Sequence, residues 1–325
     1  MSLFEKIYGD NGRKARGVLA VFVQLWYNKR MKKQRLDNKK LTDMHSHTTF
    51  SHDGRNSLKE MLTAARKAGA VFYGVSEHFD CDFCGTVRTV KDGKTVEEDT
   101  YKTAFSDADG YFETGRKLQK KYAKKITLLL GVEFGYVENK EICRLYQEIV
   151  RKFSPDFIIN SVHADRGHGD YCLRTAFKTP DGEKREKREV YMSYLARVEA
   201  SLDADYPYDI VGHVGYCSRY APYDDPSMSY AEFAESYDRI LEKIIKKGKI
   251  LEINSSKLKE EGFVPSSDVL RRYYELGGRA VSFGSDAHFT SRLFEKREKV
   301  VAALKEIGFT YVTVPKGGER IEVEI

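Results

Sequence analysis

Short apolar runs rich in β-branched residues alternate with longer amphipathic stretches from Leu41 onward. The short runs are typical of buried strands, and the longer stretches have the apolar spacing of helices. Regular alternation of the two predicts βα units whose strands run parallel. Seven strands are predicted, at residues 41–44, 71–75, 126–132, 157–161, 209–211, 249–253 and 280–283.

Helices are predicted between these strands. Ser57 and Glu60 have the Ser-x-x-Glu spacing of a capping box, which marks the start of the first helix. Gly69 ends that helix. The predicted helices lie at residues 57–68, 186–202, 229–247, 266–276 and 291–307.

Polar residues cluster where the predicted strands end. In (β/α) barrels the loops that follow the strands converge at one mouth and carry the chemistry, whereas an open doubly wound sheet gathers ligands at one switch point. Contributions from six different strands favour a closed or nearly closed α/β barrel of the TIM-like type. Residues 81–109 and 165–185 interrupt the rhythm on the same side, so we expect lids or substrate loops there.

The first forty residues differ from the rest in charge, with eleven Lys or Arg against three acids. Their apolar run, 17–27, is shorter than the roughly 20 residues that span a bilayer, and no small-residue cleavage site follows it. We therefore predict a basic, helical N-terminal extension at residues 1–40 that docks on a single domain at 41–325. A basic interfacial anchor is the alternative.

The net charge of +6 is the small difference between 55 basic and 49 acidic residues, which are interspersed along most of the chain. No nucleic-acid groove is predicted from this pattern, and no transmembrane segment is expected. Five cysteines form an odd set without the density of a disulfide scaffold, which indicates a reducing compartment and a cytoplasmic protein. Cys81 and Cys84 have CxxC spacing, but without a second pair the motif is weak.

Most of the eight histidines follow predicted strands. His45 and His47 form a His-x-His pair whose side chains point to the same side of an extended chain and can bind one ion together. Such a pair alone is a weak signal. The later strands lead into Glu77 and His78, Glu133, His163, His213, and Asp286 with His288. The joint pattern indicates a metal site at the C-terminal ends of the strands.

The run from Asp43 to Gly54, together with these later pieces, resembles the polymerase and histidinol phosphatase (PHP) family, and most of all its stand-alone histidinol-phosphatase branch. The resemblance covers residues 41–307. It implies a distorted (β/α)7-type barrel and a metal-dependent phosphomonoesterase that converts L-histidinol phosphate and water into L-histidinol and phosphate in histidine biosynthesis. The basic extension lies outside the family pattern.

The same resemblance implies two or three divalent ions. Imidazole and carboxylate ligands suit zinc, iron or manganese. The first ion would be held by His45, His47, Glu133 and Asp286, the second by Glu133, His163 and His213, and the third by His52, His78 and His288. His168 is left as a substrate-loop residue or a bystander. Many relatives have an Asp two residues after His213, where this chain has Gly215, so substrate contacts can differ.

In the implied reaction a hydroxide that bridges the first two ions attacks phosphorus in line, with Glu133, Asp286 and His288 as the catalytic residues. Arg166 and Arg219 follow ligand positions and could grip phosphate oxygens bidentately. A solvated or helix-paired side chain is the alternative for each arginine.

Three other functions stay open. A PHP phosphoesterase could act on another small phosphate ester or on nucleic acid. A metal-dependent amidohydrolase also begins with His-x-His, but it does not need the third ligand set of His52, His78 and His288. A non-catalytic metal-binding domain would have no reason to keep a full ligand set. The oligomeric state is not predicted.

Overall fold

A computed structural model describes residues 34–36, 41–91, 94–103, 107–165, 167–256 and 262–325. Seven parallel strands form its central sheet, in sequence order from one edge to the other. They are β1 (Leu41–Asp43), β2 (Ala70–Phe79), β3 (Thr127–Gly135), β4 (Phe157–Ser161), β5 (Ile210–Val211), β6 (Ile250–Asn254) and β7 (Val281–Gly284). The predicted strands and their parallel order are confirmed.

Seven helices follow the seven strands. They are α1 (Leu58–Lys67), α2 (Ala108–Tyr122), α3 (Lys140–Phe153), α4 (Lys187–Ser201), α5 (Tyr230–Lys246), α6 (Ser267–Glu275) and α7 (Arg297–Ile307). The capping box of α1 is formed as predicted, because the Ser57 hydroxyl accepts the N–H of Glu60 and the Glu60 carboxylate accepts the N–H of Ser57. The structure therefore has the (β/α)7 order.

Backbone hydrogen bonds bring the two edges of the sheet together. The N–H of Met44, just after β1, donates to Phe283 O in β7 at 2.9 Å. Beyond the strand ends, the N–H of His47 donates to Ala287 O and that of Asp286 donates to His45 O. The sheet is thus a nearly closed barrel, and the segments after β1 and β7 lie side by side.

Two glycines make room for an aromatic ring between the strands. A Cβ on Gly131 would lie 2.3 Å from Cζ of Phe157, and one on Gly74 would lie 2.9 Å from the same atom. Both distances are shorter than close packing allows. Phe157, at the start of β4, and Met44, directly after β1, are both buried here and fill the space between the strands.

The prediction for the last helix was wrong at its start. The sequence predicts a helix from residue 291, but α7 begins at Arg297 after a short 3-10 turn at Thr290–Arg292. Phe294 and Lys296 have φ angles of 61° and 56°, in the left-handed region, so the helix cannot pass through them. Helices α2 and α3 were not predicted.

Both expected loops contain strands. After β2, Cys81–Lys91 pairs antiparallel with Lys94–Thr103. After β4, Ala164–Asp165 pairs with Gly169–Asp170 and a 3-10 turn follows at Arg174–Phe177. Both excursions leave the barrel at its C-terminal end, as predicted, and a lid role for them stays a prediction.

A small sheet lies outside the barrel order. Tyr311–Lys316 and Glu319–Glu324 are antiparallel, and Gln34–Leu36 pairs parallel with the second of them. Gln34–Leu36 is the described part of the predicted helical extension, and it is a strand; residues 1–33 and 37–40 lie outside the described residues. Across the part of the chain that the structure covers, every helix is too short or too polar to cross a membrane.

Candidate metal centre

The predicted ligands converge at the C-terminal end of the barrel. They line or adjoin a cavity of about 120 Å³ whose walls come from the C-terminal ends of the seven strands and from the segments that follow them. The structure brings all but one of them into contact, and the exception is His52. The converging residues are His45, His47, His78, Glu133, His163, His213, Asp286 and His288.

The first group is fully buried. Nε2 of His45 lies 3.1 Å from Nε2 of His47, and Oε2 of Glu133 lies 3.2 Å and 3.6 Å from the same two nitrogens. Oδ1 of Asp286 lies 3.7 Å and 3.3 Å from them. Ligand atoms in a tetrahedral zinc site are roughly 3.3 Å apart. These four side chains therefore have the spacing of a single metal site.

The negative charge of the buried carboxylates around His45 favours a positive charge among them. Burial acts to lower the pKa of His45, but Glu133, Glu252 and Asp286 raise it well above its ordinary value. Burial lowers the pKa of the neighbouring His47 to about 3, which keeps that imidazole neutral and able to ligate. Oε2 of Glu133 is buried and accepts no hydrogen bond from the described residues. A divalent cation would meet all of these requirements, so the donor set fits a metal.

The second group is formed around the other oxygen of Glu133. Oε1 lies 3.1 Å from Nε2 of His163 and 2.9 Å from Nε2 of His213, and these two nitrogens are 3.2 Å apart. The Ser161 hydroxyl donates to Oε1 at 2.6 Å. Because its two oxygens face different groups, the Glu133 carboxylate has the geometry of a bridge.

The third group differs from the prediction. His78 and His288 both lie within stacking distance of the His47 ring, but the side chain between them is Asp53. Oδ2 of Asp53 lies 2.8 Å from Nε2 of His288, and Oδ1 lies 3.7 Å from Nε2 of His78. His52 is exposed at the cavity rim, with its ring 5.5 Å from that of His78.

The structure thus places Asp53, and not His52, between His78 and His288, and the ligand roles of both side chains stay a prediction. Both residues are exposed and line the cavity, but among the described residues only Asp53 lies within ion-pair distance of His78 and His288. Burial acts to raise the pKa of Asp53, but its hydrogen bond to His288 and the charge of His78 lower it, so the carboxylate is ionised. The prediction took His52 from the resemblance to the family pattern, in which the adjacent Asp53 was given no role.

Buried acids hold the imidazoles in place. Oε1 of Glu252 lies 2.6 Å from Nδ1 of His45, and its Oε2 accepts the backbone N–H of His213 at 2.6 Å. Asp80 lies 3.1 Å from Nδ1 of His78 and 3.2 Å from Nδ1 of His163. Such partners fix the orientation of metal-binding imidazoles. Neither acid was predicted, although a Glu inside the apolar run 249–253 is a signal.

One further acid joins the two edges of the barrel. Asp43 accepts backbone N–H groups of His45, Ser285 and Phe294, which follow β1 and β7. Burial raises the pKa of Asp43 to about 6. The absence of a side chain at Gly284 leaves room for the Glu252 carboxylate, because a Cβ there would lie 2.2 Å from Oε1 of Glu252.

Comparisons with known proteins identify the family of this chain. Residues 43–256 match the model of the PHP domain. The chain belongs to the PHP family. A probable histidinol-phosphatase of Clostridium acetobutylicum is 32% identical to this PHP chain over 248 residues, covering 76% of the chain and 86% of the relative. The histidinol-phosphatase of Lactococcus lactis is 29% identical over 277 residues, covering 83% and 92%.

Solved structures show the same fold. The histidinol phosphate phosphatase of L. lactis, complexed with zinc, L-histidinol and phosphate, matches with a TM-score of 0.68 and 28% identity, covering 86% of this chain and 98% of that one. A putative histidinol phosphatase from Listeria monocytogenes matches with a TM-score of 0.62 at 19% identity, which supports the fold alone. The predicted family and fold are confirmed.

Arg166 and Arg219 were both predicted to bind phosphate, and of the two the structure of this PHP chain describes Arg219. Arg219 is buried, with a side chain 1% exposed, and its guanidinium lies 2.9 Å from Oδ2 of Asp286. It also donates to Oδ1 of Asn254. Its contacts therefore hold a candidate metal ligand in place. Arg166 lies outside the described residues. His168 is half-buried, its backbone N–H donates to Asp165 O, and it is not among the residues that line the cavity.

The contrast between Asp53 and His52 can be measured directly. We expect Asp53→Ala to lower kcat/KM of the metal-loaded enzyme by about 100-fold, the upper end of the effect of groups that support a metal site. His52→Ala should change it by less than about three-fold, because the His52 ring lies 5.5 Å from that of His78 and forms no ion pair with the cluster among the described residues. Phosphate-release kinetics of the two adjacent variants provide the test, and the reverse ranking would restore His52 to the third group.

Proposed function

We propose that this PHP chain hydrolyses L-histidinol phosphate to L-histidinol and inorganic phosphate. One observation carries the proposal: the two oxygens of Glu133 face two separate groups of imidazoles, and a third group adjoins them in the same cavity. The likeness to a Lactococcus enzyme solved with zinc, L-histidinol and phosphate supports the substrate.

Two or three ions of zinc, iron or manganese would be held by the residues described above. When bound, they supply charge neutralisation for the phosphate and lower the pKa of water toward neutrality. The Glu133 carboxylate lies between the first and second groups, and its negative charge would offset part of the positive charge of their ions. Glu252 and Asp80 keep the ring nitrogens pointed into the cavity, and a displacement of a catalytic group by about 1 Å can cost 100-fold in rate.

The remaining site residues have proposed roles that follow from their contacts. Asp286 belongs to the first group, and His288 lies 2.8 Å from Asp53 in the third. Arg219 is a positioning residue that acts through Asp286. Arg166 remains a proposed phosphate ligand, because it follows His163 by three residues in the sequence.

A substrate panel tests the proposal. Phosphate release by manganese- or zinc-loaded protein is measured with L-histidinol phosphate, with an aryl phosphate and with an oligonucleotide, and His45→Ala serves as the control. We expect L-histidinol phosphate to be hydrolysed with the highest kcat/KM and His45→Ala to abolish that activity. Faster hydrolysis of the oligonucleotide would favour the nuclease alternative, and unchanged activity of His45→Ala would remove the metal centre from the mechanism.

A further inference from the structure

Five carboxylates line the described walls of the metal cavity, and four of them contact imidazoles. Asp53, Asp80, Glu133 and Asp286 each lie within 3.3 Å of a histidine ring nitrogen. Asp170 is the fifth. The described groups that donate to it are the backbone N–H of Cys172 and the hydroxyl of Tyr216, which are both neutral. Within the described part of the chain, its charge therefore has no cationic partner.

Asp170 is held in a fixed position. It belongs to the short strand Gly169–Asp170, which pairs with Ala164–Asp165 directly after His163. Its Oδ1 accepts the backbone N–H of Cys172 at 2.6 Å and the hydroxyl of Tyr216 at 3.3 Å. Both of these hydrogen bonds go to the same oxygen, which leaves Oδ2 for a further donor.

Tyr216 links Asp170 to the second metal group. Its ring centroid lies 4.8 Å from that of His213 and 5.2 Å from that of His163, and its hydroxyl reaches Asp170 at the other end. Asp170 is thus one tyrosine away from the imidazoles around Oε1 of Glu133. The Tyr216 ring already faces the Arg219 guanidinium at 5.3 Å, so the carboxylate is the better group for a second cation.

The chemistry of the proposed substrate fits this arrangement. L-Histidinol phosphate is the ester of a 2-amino alcohol, and standard bond lengths place its ammonium nitrogen roughly 4 to 5 Å from phosphorus. A phosphate held at the metal groups would therefore place the ammonium at the cavity wall. A carboxylate there would accept a charge-assisted hydrogen bond from it.

We propose that Asp170 binds the ammonium group of the substrate and makes the site selective for phosphate monoesters of 2-amino alcohols. This inference rests on the proposed function and specifies the recognition element in the same cavity. Asp170 is a specificity residue here, because it contacts the part of the substrate that leaves with the alcohol.

Asp170→Asn keeps the shape of the side chain and removes its charge. We expect it to lower kcat/KM for L-histidinol phosphate by about 10- to 100-fold, as for loss of a charged hydrogen bond. The des-amino ester, 3-(imidazol-4-yl)propyl phosphate, should change by less than about two-fold. In calorimetry, L-histidinol should bind the variant about 10- to 100-fold more weakly, while the affinity for inorganic phosphate is unchanged.

Asp181→Asn is the matched control, because Asp181 is an exposed aspartate in the same excursion after β4. It should leave kcat/KM for both esters and the affinities for L-histidinol and inorganic phosphate unchanged. Equal losses on both esters in Asp170→Asn, or no loss on either, would overturn the inference. Equal losses would mean that Asp170 acts on the phosphate or on the fold of its strand.

The wild-type arm separates this inference from the proposed function. If the wild type prefers L-histidinol phosphate but Asp170→Asn affects both esters alike, the function stands and the inference fails. If the wild type hydrolyses O-phosphoethanolamine but not L-histidinol phosphate, the function fails and the ammonium site stands. A wild type that hydrolyses the amino and des-amino esters equally well overturns the inference.

Discussion

Glu133→Gln is expected to lower kcat/KM for L-histidinol phosphate by at least about 1,000-fold, since loss of several kcal/mol of transition-state stabilisation has that effect. Its two oxygens lie within 3.2 Å of ring nitrogens on both sides, and an amide offers one neutral oxygen in place of two charged ones. Elemental analysis should show fewer divalent ions per chain in the variant than in the wild type.

Glu138→Gln is the control for that experiment. Glu138 is exposed and lies a few residues beyond the end of β3, the strand that carries Glu133. It should keep the activity and the metal content of the wild type. If Glu133→Gln retained the full metal content and more than a tenth of the activity, Glu133 would not be the bridge between the groups.

Arg185→Met is expected to destabilise the fold by about 3 to 5 kcal/mol, the range for breaking a buried ion pair. The guanidinium of Arg185 lies 2.8 Å from Oδ2 of Asp165, and both side chains are only 5% exposed. Asp165 would keep one hydrogen bond, from the Ser193 hydroxyl. The free energy of unfolding, measured by urea denaturation, gives the size of the effect.

The matched control is an exposed arginine. Arg271 forms an ion pair with Glu306 at 3.1 Å, but both side chains are largely solvent-accessible. Arg271→Met should change stability by less than about 1 kcal/mol. Adding Asp165→Asn to Arg185→Met should recover part of the loss, because the unpaired buried charge is removed. No recovery would show that the effect arises from packing of the Arg185 side chain instead.

The barrel could be predicted because its strands have a strong local signal. Each is a short apolar run, and the chemistry-bearing residues stand directly after it, so the order of βα units follows from the sequence. Helices α2 and α3 escaped prediction although Asp107 and Asn139 cap them. Residue 108 falls at the end of a segment predicted to be a loop, which hid the start of α2.

The metal centre was predictable to the level of residue type but not of side-chain direction. His52 and Asp53 are adjacent, and only the geometry of the turn decides which of them points toward His288. The contact of His45 with Glu252 spans 207 positions, and that of Arg219 with Asp286 spans 67. Contacts over such separations depend on barrel closure, which no local pattern encodes.

The metal dependence of phosphate release from L-histidinol phosphate tests the account most directly. The protein is stripped with a chelator until elemental analysis finds less than about a tenth of an ion per chain, and is then reloaded with manganese or zinc. We predict that activity is lost on stripping and returns on reloading in wild type but not in Glu133→Gln. Full activity of the stripped wild type would contradict the account.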